Sequence, residues 1–332
     1  MQKILIIQTA FIGDVVLATG LLEKLHAKWP DASLTIVVRK GNESLFRGHP
    51  FMHEILVWDK TKLKYRHLLL LLKKIRKSRY DIVINIQRFA ATGILTALSG
   101  AKQTIGFDKN PFSFLFSDVI RHEVNSGKDH LHEFERNHQL IRQFTDEIPA
   151  KPALYPTQED MDTVAQWKKQ DYICIAPASV WFTKQFPADQ WAFFINALPK
   201  NIPVYLIGAP GDHALCEDIK LQVTHSSVTN LAGQLNFLQS AALQKDALMN
   251  YVNDSAPMHF ASAVNAPVTA VYCSTIPAFG FGPLSDNRHI VEIAGPLACR
   301  PCGLHGRKAC PLGHFHCAKF ITTEQLLATL PR

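Results

Sequence analysis

With 332 residues, 47% of them hydrophobic and 19% charged, the chain is long enough for two domains with full cores and falls outside the disordered and fibrous classes. Its net charge of +7 lies in one half, since residues 1–150 hold 22 Lys/Arg against 15 Asp/Glu and the remainder holds 13 of each. A basic half-molecule suggests an anionic partner, a phosphorylated glycan or an anionic membrane surface, and no nucleic-acid module accompanies it.

Taken in order, Lys3 to Thr9 is an apolar, β-branched run that reads as a first buried strand. It lacks a signal peptide's cleavage site, so a cytoplasmic protein with thiol or metal-ligand cysteines is expected. Ala10-Phe11-Ile12-Gly13-Asp14 makes a tight turn, and Val15 to Lys28 is helical with Val16, Leu17, Leu21, Leu22 and Leu25 on one face. Strands follow at Leu34 to Val38 and Ile55 to Trp58. Tyr65 to Arg79 reads as an amphipathic helix, with Leu68, Leu69, Leu72 and Ile75 inward and a basic outer face. Asp81 to Ile86 is a strand before the loop Gln87-Arg88-Phe89, Ala91 to Leu98 is helical, Gln103 to Gly106 is a short strand, Phe112 to Phe116 is a turn, and His132 to Phe144 is helical. Such β/α alternation predicts a parallel sheet covered on both faces.

Ile148-Pro149-Ala150-Lys151-Pro152 and Pro156 form a proline-spaced linker, which places the domain boundary between residues 150 and 151. A second α/β set follows: a strand at Tyr172 to Ala176, a loop carrying Ser179 and Lys184, a helix at Ala188 to Leu198, and a strand at Val204 to Ile207. After the loop Gly208-Ala209-Pro210-Gly211-Asp212 come helices at His213 to Val223 and Asn236 to Gln244 and a strand at Ala247 to Val252. Asn253-Asp254-Ser255-Ala256-Pro257-Met258-His259 then turns into a helix, before a last strand at Pro267 to Tyr272. No sequence repeat relates the halves.

Ligands bind open α/β sheets at the carboxyl edge. Asp254 and Ser255 sit there, at a helix start whose N–H groups and dipole suit a phosphate, with His259 one turn further on; the plainer alternative is an Asp N-cap. Asp14, after Gly13, is placed either as a general base or as a first-turn acid favoured by the dipole. Lys184 suits phosphate as a point charge, with Ser179 as a hydroxyl donor, or is a solvated lysine. Cys299-Arg300-Pro301-Cys302, with Cys310 and Cys317 nearby, reads as a zinc loop or as structural thiols. Cys174, Cys216 and Cys273 read as core residues.

In order along nearly the whole chain, Ile12-Gly13-Asp14-Val15-Val16-Leu17-Ala18-Thr19, the Ser179 to Pro187 lysine loop, Gly208-Ala209-Pro210-Gly211-Asp212, Leu231-Ala232-Gly233 and Asn253-Asp254-Ser255-Ala256-Pro257-Met258-His259 resemble the ADP-heptose:lipopolysaccharide heptosyltransferase family, glycosyltransferase family 9. The cysteine-rich segment is similar to that of heptosyltransferase II-like members. The resemblance implies a GT-B fold, two Rossmann-like domains with parallel sheets facing across a cleft, residues 1–150 binding the acceptor and 151–332 the nucleotide sugar, with a last helix able to pack back on the N-terminal domain. It implies inverting transfer from ADP-heptose to an anionic, lipid-linked glycan, without cofactor or catalytic metal, at the inner face of the inner membrane. Asp14 matches the base. Ser179, Lys184, Asp212, Asp254, Ser255, Ala256 and His259 match donor contacts, and Gly13, Lys62, Lys64, Arg88 and Arg121 are acceptor candidates. Ala256 departs from the family's usual glycine, which would strain a left-handed backbone or crowd a closely approaching donor. The rival readings are a different nucleotide-sugar transferase of the same fold, an epimerase-like or nucleotide-binding relative, since the fold does not fix function, and, from another class, a basic peripheral binding protein without catalysis.

Overall fold

The computed structural model describes residues 1–61, 63–124 and 130–331. It divides into two compact units, one of residues 1–124 with 131–155, the other built on residues 156–331.

In the first unit the elements run β1 (Lys3–Ile7), α1 (Ile12–Lys28), β2 (Ser33–Arg39), β3 (Met52–Trp58), α2 (Lys64–Ser78), β4 (Ile82–Asn85), α3 (Ala90–Ala97), β5 (Gln103–Phe107), β6 (Asp118–Ile120) and α4 (Glu133–His138). The strands form one all-parallel sheet in the order β3-β2-β1-β4-β5-β6. Ile4 to Ile7 and Leu34 to Val38 are buried on both faces of the sheet, which is why these strands read as unbroken apolar runs.

The second unit runs α5 (Gln158–Val164), β7 (Ile173–Ala176), α6 (Ala188–Ala197), β8 (Val204–Leu206), α7 (His213–Leu221), β9 (Val228–Asn230), α8 (Phe237–Lys245), β10 (Met249–Asn253), α9 (Ala256–Ala263), β11 (Val268–Tyr272), β12 (Arg288–Glu292), α10 (His316–Lys319) and α11 (Thr323–Leu327). Its parallel sheet has the order β12-β11-β10-β7-β8-β9. Counted along each unit's own strands and read from the opposite edge, this repeats the 3-2-1-4-5-6 order of the first sheet, the doubly wound pattern whose crevice opens where the order reverses. Those reversals lie between β1 and β4, and between β7 and β10.

Several expectations are corrected. The linker does not part at residue 150, because residues 150–155 lie along α1. Ala153 N–H donates to Thr19 Oγ1 (2.9 Å), Tyr155 O–H donates to Glu23 (2.9 Å), and a Cβ on Gly20 would stand 2.5 Å from the Ala150 carbonyl oxygen. The last helix, α11, buries Leu326 in the second unit's own core, where the Tyr251 hydroxyl donates to the Leu326 carbonyl (3.3 Å). In α2 the inward stripe is Leu68, Leu71 and Ile75, at spacing i, i+3, i+7, while Leu69 points to solvent and Leu72 is half-buried. The helix expected to Phe144 ends at His138, and β6, β9, β12 and α5 are additional elements. Cys174, Cys216 and Cys273 are fully buried, as expected.

Candidate functional site

At the carboxyl edge of the first sheet, the chain leaves β1 through Gln8 to Phe11 and enters α1, whose first turn carries Gly13 and Asp14, both half-buried. The segment is held by buried amides. Gln8 Nε2 donates to the Asp14 carbonyl (3.5 Å), Gln8 Oε1 accepts from Ala10 N–H (3.2 Å) and from Gln87 Nε2, and Asn110 Nδ2 donates to the Gln87 carbonyl (2.8 Å). The loops after β1 and β4 are thereby locked at the switch point, with Asp14 in the helical turn that follows one and Arg88 on the other. Arg88 is exposed, its guanidinium 5.7 Å from the Phe89 ring.

A cation not singled out in the sequence stands beside them. Lys60 follows β3 and donates to the Thr9 carbonyl (2.7 Å) and hydroxyl (3.1 Å), over the Trp58 ring at 4.6 Å. Burial first, then the charges of Arg39 and Lys64, push it down to about 8. Three cations thus share one field at the ends of β2 and β3, an arrangement that attracts an anion. Lys64 begins α2. Arg121 is elsewhere: it follows β6, the edge strand, and pairs with Glu123 at 2.8 Å on the surface. Lys62 lies outside the described residues.

The second sheet's switch point is built around Asn253. Its side-chain oxygen accepts from Phe186 N–H (3.0 Å) and its amide donates to the Pro177 carbonyl (2.7 Å), so the loop after β7 is fastened to the end of β10. That loop carries Lys184, whose ammonium lies 2.6 Å from Asp254 Oδ2, with side-chain exposures of 15% and 7%. Thr275 Oγ1 donates to the same oxygen (2.7 Å). The alternative of Asp254 as the helix cap is therefore not realised. Ser255 takes the capping position in extended conformation, and the nearly buried carboxylate gains a charge-assisted contact instead.

Ala256 is the first residue of α9 and is not among the residues with positive φ. Alanine in place of glycine therefore costs no backbone strain here. His259 is buried, its Nδ1 without a partner among the described residues and its ring 6.5 Å from that of Phe281. Burial, then the Lys184 charge, push it down to about 3, so the imidazole is neutral at pH 7. Ser179 uses its carbonyl to accept from Gln185 Nε2 (2.6 Å). Asp212 follows β8, the neighbour of β7, and closes its own loop by accepting from Ala209 N–H (2.8 Å). Gly233 packs against that loop: at φ +81°, a Cβ there would stand 2.9 Å from Pro210 Cα.

Two further residues brace this site. The Thr183 hydroxyl accepts from Arg307 N–H (2.7 Å) and from the Ser274 hydroxyl (2.9 Å). The Arg300 guanidinium donates to the carbonyls of Cys273 (2.8 Å) and Thr275 (2.7 Å). Arg300 comes from the cysteine-rich segment, so part of that segment buttresses the lysine loop. Its thiols are not gathered into a metal centre. Cys299 Sγ is 4.0 Å from His314 Nε2 and Cys302 Sγ donates to the Cys299 carbonyl (3.3 Å). No three His, Cys, Asp or Glu side chains among the described residues are placed to hold a metal ion. Burial first, then neighbouring thiols, push Cys317 up to about 11.

Residues 68–311 match the family described as glycosyltransferase family 9 (heptosyltransferase). Lipopolysaccharide heptosyltransferase 3 of Escherichia coli is 25% identical over 294 residues, spanning 83% of this chain and 85% of its own. Lipooligosaccharide heptosyltransferase 2 of Haemophilus influenzae is 23% identical over 318 residues, spanning 88% and 89%. Among solved structures, E. coli ADP-heptose LPS heptosyltransferase II superposes with a TM-score of 0.82 at 20% identity, covering 99% of this chain and 97% of the other.

Proposed function

Because this chain belongs to glycosyltransferase family 9, the heptosyltransferases of lipopolysaccharide core synthesis, we propose that it moves a heptose from ADP-heptose onto an anionic, lipid-linked inner-core acceptor at the cytoplasmic face of the inner membrane. The observation that carries this reading is the Lys184–Asp254–Thr275 cluster at the entry to α9.

As the sugar–phosphate bond breaks, negative charge grows on the departing diphosphate. Lys184 meets it as a point charge, and the N–H groups of Ser255 and Ala256 meet it as helix-start donors; Pro257 has none to give. This is work that a divalent ion does in other transferases. Neutral His259 can present an uncharged N–H without adding a proton to titrate. Asp254, already committed to Lys184, is placed for heptose hydroxyls, with Ser179 and Asp212 on the flanking loops as further donor contacts.

Asp14 takes the proton of the acceptor hydroxyl. The oxygen attacks the anomeric carbon, the bond to ADP breaks on the opposite face, and configuration inverts. Arg39, Lys60 and Lys64, with Gly13 and Arg88 on the adjoining loops, hold the acceptor's anionic groups.

The residue at the helix start leaves the donor's sugar open. Ala256 stands where the resembled family usually has glycine, and its methyl group would crowd a donor that approaches the helix start closely. Incubation with ADP-, UDP- and GDP-sugars and an inner-core glycolipid, with and without EDTA, tests both readings. ADP should be released from ADP-heptose, only with acceptor, and unchanged by the chelator. Release from UDP- or GDP-sugars instead would overturn the donor, and total loss in EDTA restored by magnesium would overturn the role given to Lys184.

A further inference from the structure

The solvent side of α2 carries a surface that the transferase chemistry does not use. The helix holds Lys64, Arg66, Lys73, Lys74, Arg76 and Lys77 and no acidic residue. Lys74 is taken up by Glu54 at 2.6 Å, and Arg76 by the Leu98 carbonyl at 2.9 Å. Arg66, Lys73 and Lys77 pair with no described residue. With Leu68, Leu71 and Ile75 buried, the helical repeat places Arg66, Leu69, Leu70, Lys73 and Lys77 together on the opposite side. Leu69 is 61% exposed and Leu70 54%, and Leu63 and Tyr65 at the start of the helix are exposed as well.

Single exposed leucines are ordinary. Two adjacent ones, flanked by unpaired cations at both ends of a 15-residue helix, are the makings of a surface-lying amphipathic segment. A site for free anions or nucleic acid needs the cations but not the leucines, and a site for an apolar protein face needs the leucines but not the uniform positive charge. Both together fit a bilayer: leucines enter the acyl boundary while the long cationic side chains reach the headgroup phosphates.

We infer that the Arg66–Leu69–Leu70–Lys73–Lys77 face of α2 docks the protein on an anionic lipid bilayer. This rests on the reading above only for its placement at the inner membrane. No described helix is long and apolar enough to cross a membrane, so the contact is one of lying on the surface.

The test is cosedimentation of the full chain with phosphatidylglycerol–phosphatidylcholine vesicles, without donor or acceptor. The native chain should bind them, bind phosphatidylcholine vesicles far more weakly, and lose affinity as salt rises. Lys73→Gln with Lys77→Gln should weaken binding about thirty-fold, at about fivefold per cation near an anionic surface. Leu69→Ser with Leu70→Ser should weaken it at least about tenfold. Both variants should melt like the native chain, since the altered side chains face water, and should transfer normally to a lipid-free acceptor glycan. The inference is overturned if anionic vesicles are not bound or if the leucine variant binds like the native chain. It is equally overturned if that variant merely turns a dimer into a monomer at unchanged vesicle affinity. A chain that binds vesicles but transfers no sugar would instead sink the proposed function and leave this surface standing.

Discussion

Removing the Lys184 ammonium separates its two roles. Lys184→Ala leaves Asp254, 7% exposed, with only the Thr275 hydroxyl among the described residues. Breaking a buried ion pair from one side costs about 3–5 kcal/mol, and the lower end applies because Lys184 keeps some exposure. For a unit of this size about 3 kcal/mol corresponds to a fall of roughly 6–12 °C in Tm. Asp254→Asn should cost less, about 1–2 kcal/mol, because an amide can still accept from Thr275. The double variant should lose about 3 kcal/mol instead of the 4–5 kcal/mol of the two added together, since the second change removes a charge that has already lost its cation. Binding should follow another pattern. Lys184→Ala and the double variant should each lose roughly 10- to 150-fold in ADP affinity, the worth of a hydrogen bond to a charged group. Asp254→Asn should hold ADP at least as well as the native chain, because it frees the lysine. Urea unfolding and titration calorimetry read the two quantities on the same samples. Unchanged ADP affinity in Lys184→Ala would refute the phosphate role, and strictly additive stabilities would refute the pairing.

Asp14→Asn should lower kcat by about 10²–10⁴ with ADP affinity and Tm retained; a folded variant with near-native kcat removes Asp14 from the mechanism. Lys60, held down to about 8, loses its charge as the pH rises past that value. The acceptor's KM should therefore climb above about pH 8 while the donor's stays flat, and Lys60→Ala should raise it about tenfold at neutral pH, the worth of one charged contact. His49 is packed against Phe51 and Tyr155, both ring nitrogens without partners among the described residues, and burial followed by the charge of His26 pushes it down to about 4. The unfolded chain takes up that proton near pH 6.5 and the folded one only near 4. This stability is complete above about 6.5 and is lost as the pH falls toward 4. Urea midpoints across that range should slope for the native chain and flatten for His49→Gln; parallel slopes would refute the assignment.

What the sequence disclosed follows the physics of burial. Parallel strands covered on both faces must be apolar along their length, so Ile4 to Ile7, Leu34 to Val38 and Ile173 to Ala176 stood out. The short β6 and the half-exposed edge strand β12 carry no such run, and β6 pairs with only one neighbour. In α2 five consecutive leucines satisfy more than one helical phase, and only packing decides that Leu71, not Leu69, turns inward. The candidate-site motifs were visible as residue types at sheet edges, but their partners were not. Asp254 meets a lysine 70 positions earlier, and Lys60 owes its setting to Thr9, Arg39 and Trp58, joined to it only through the sheet.

Thr183, one residue before Lys184, accepts hydrogen bonds from positions 91 and 124 residues further along the chain. During synthesis that distance becomes time. The loop after β7 leaves the ribosome long before Ser274 and Arg307, and until both arrive it lacks the two hydrogen bonds that brace Thr183. At about 5–20 residues per second, the interval is many seconds in which the strands can pair while the loop carrying Lys184 is not fully braced. A nascent chain cut between Glu292 and Arg307 would carry every strand of the second sheet and still lack this brace behind Lys184, so the full fixing of that loop is among the last steps the growing polypeptide completes.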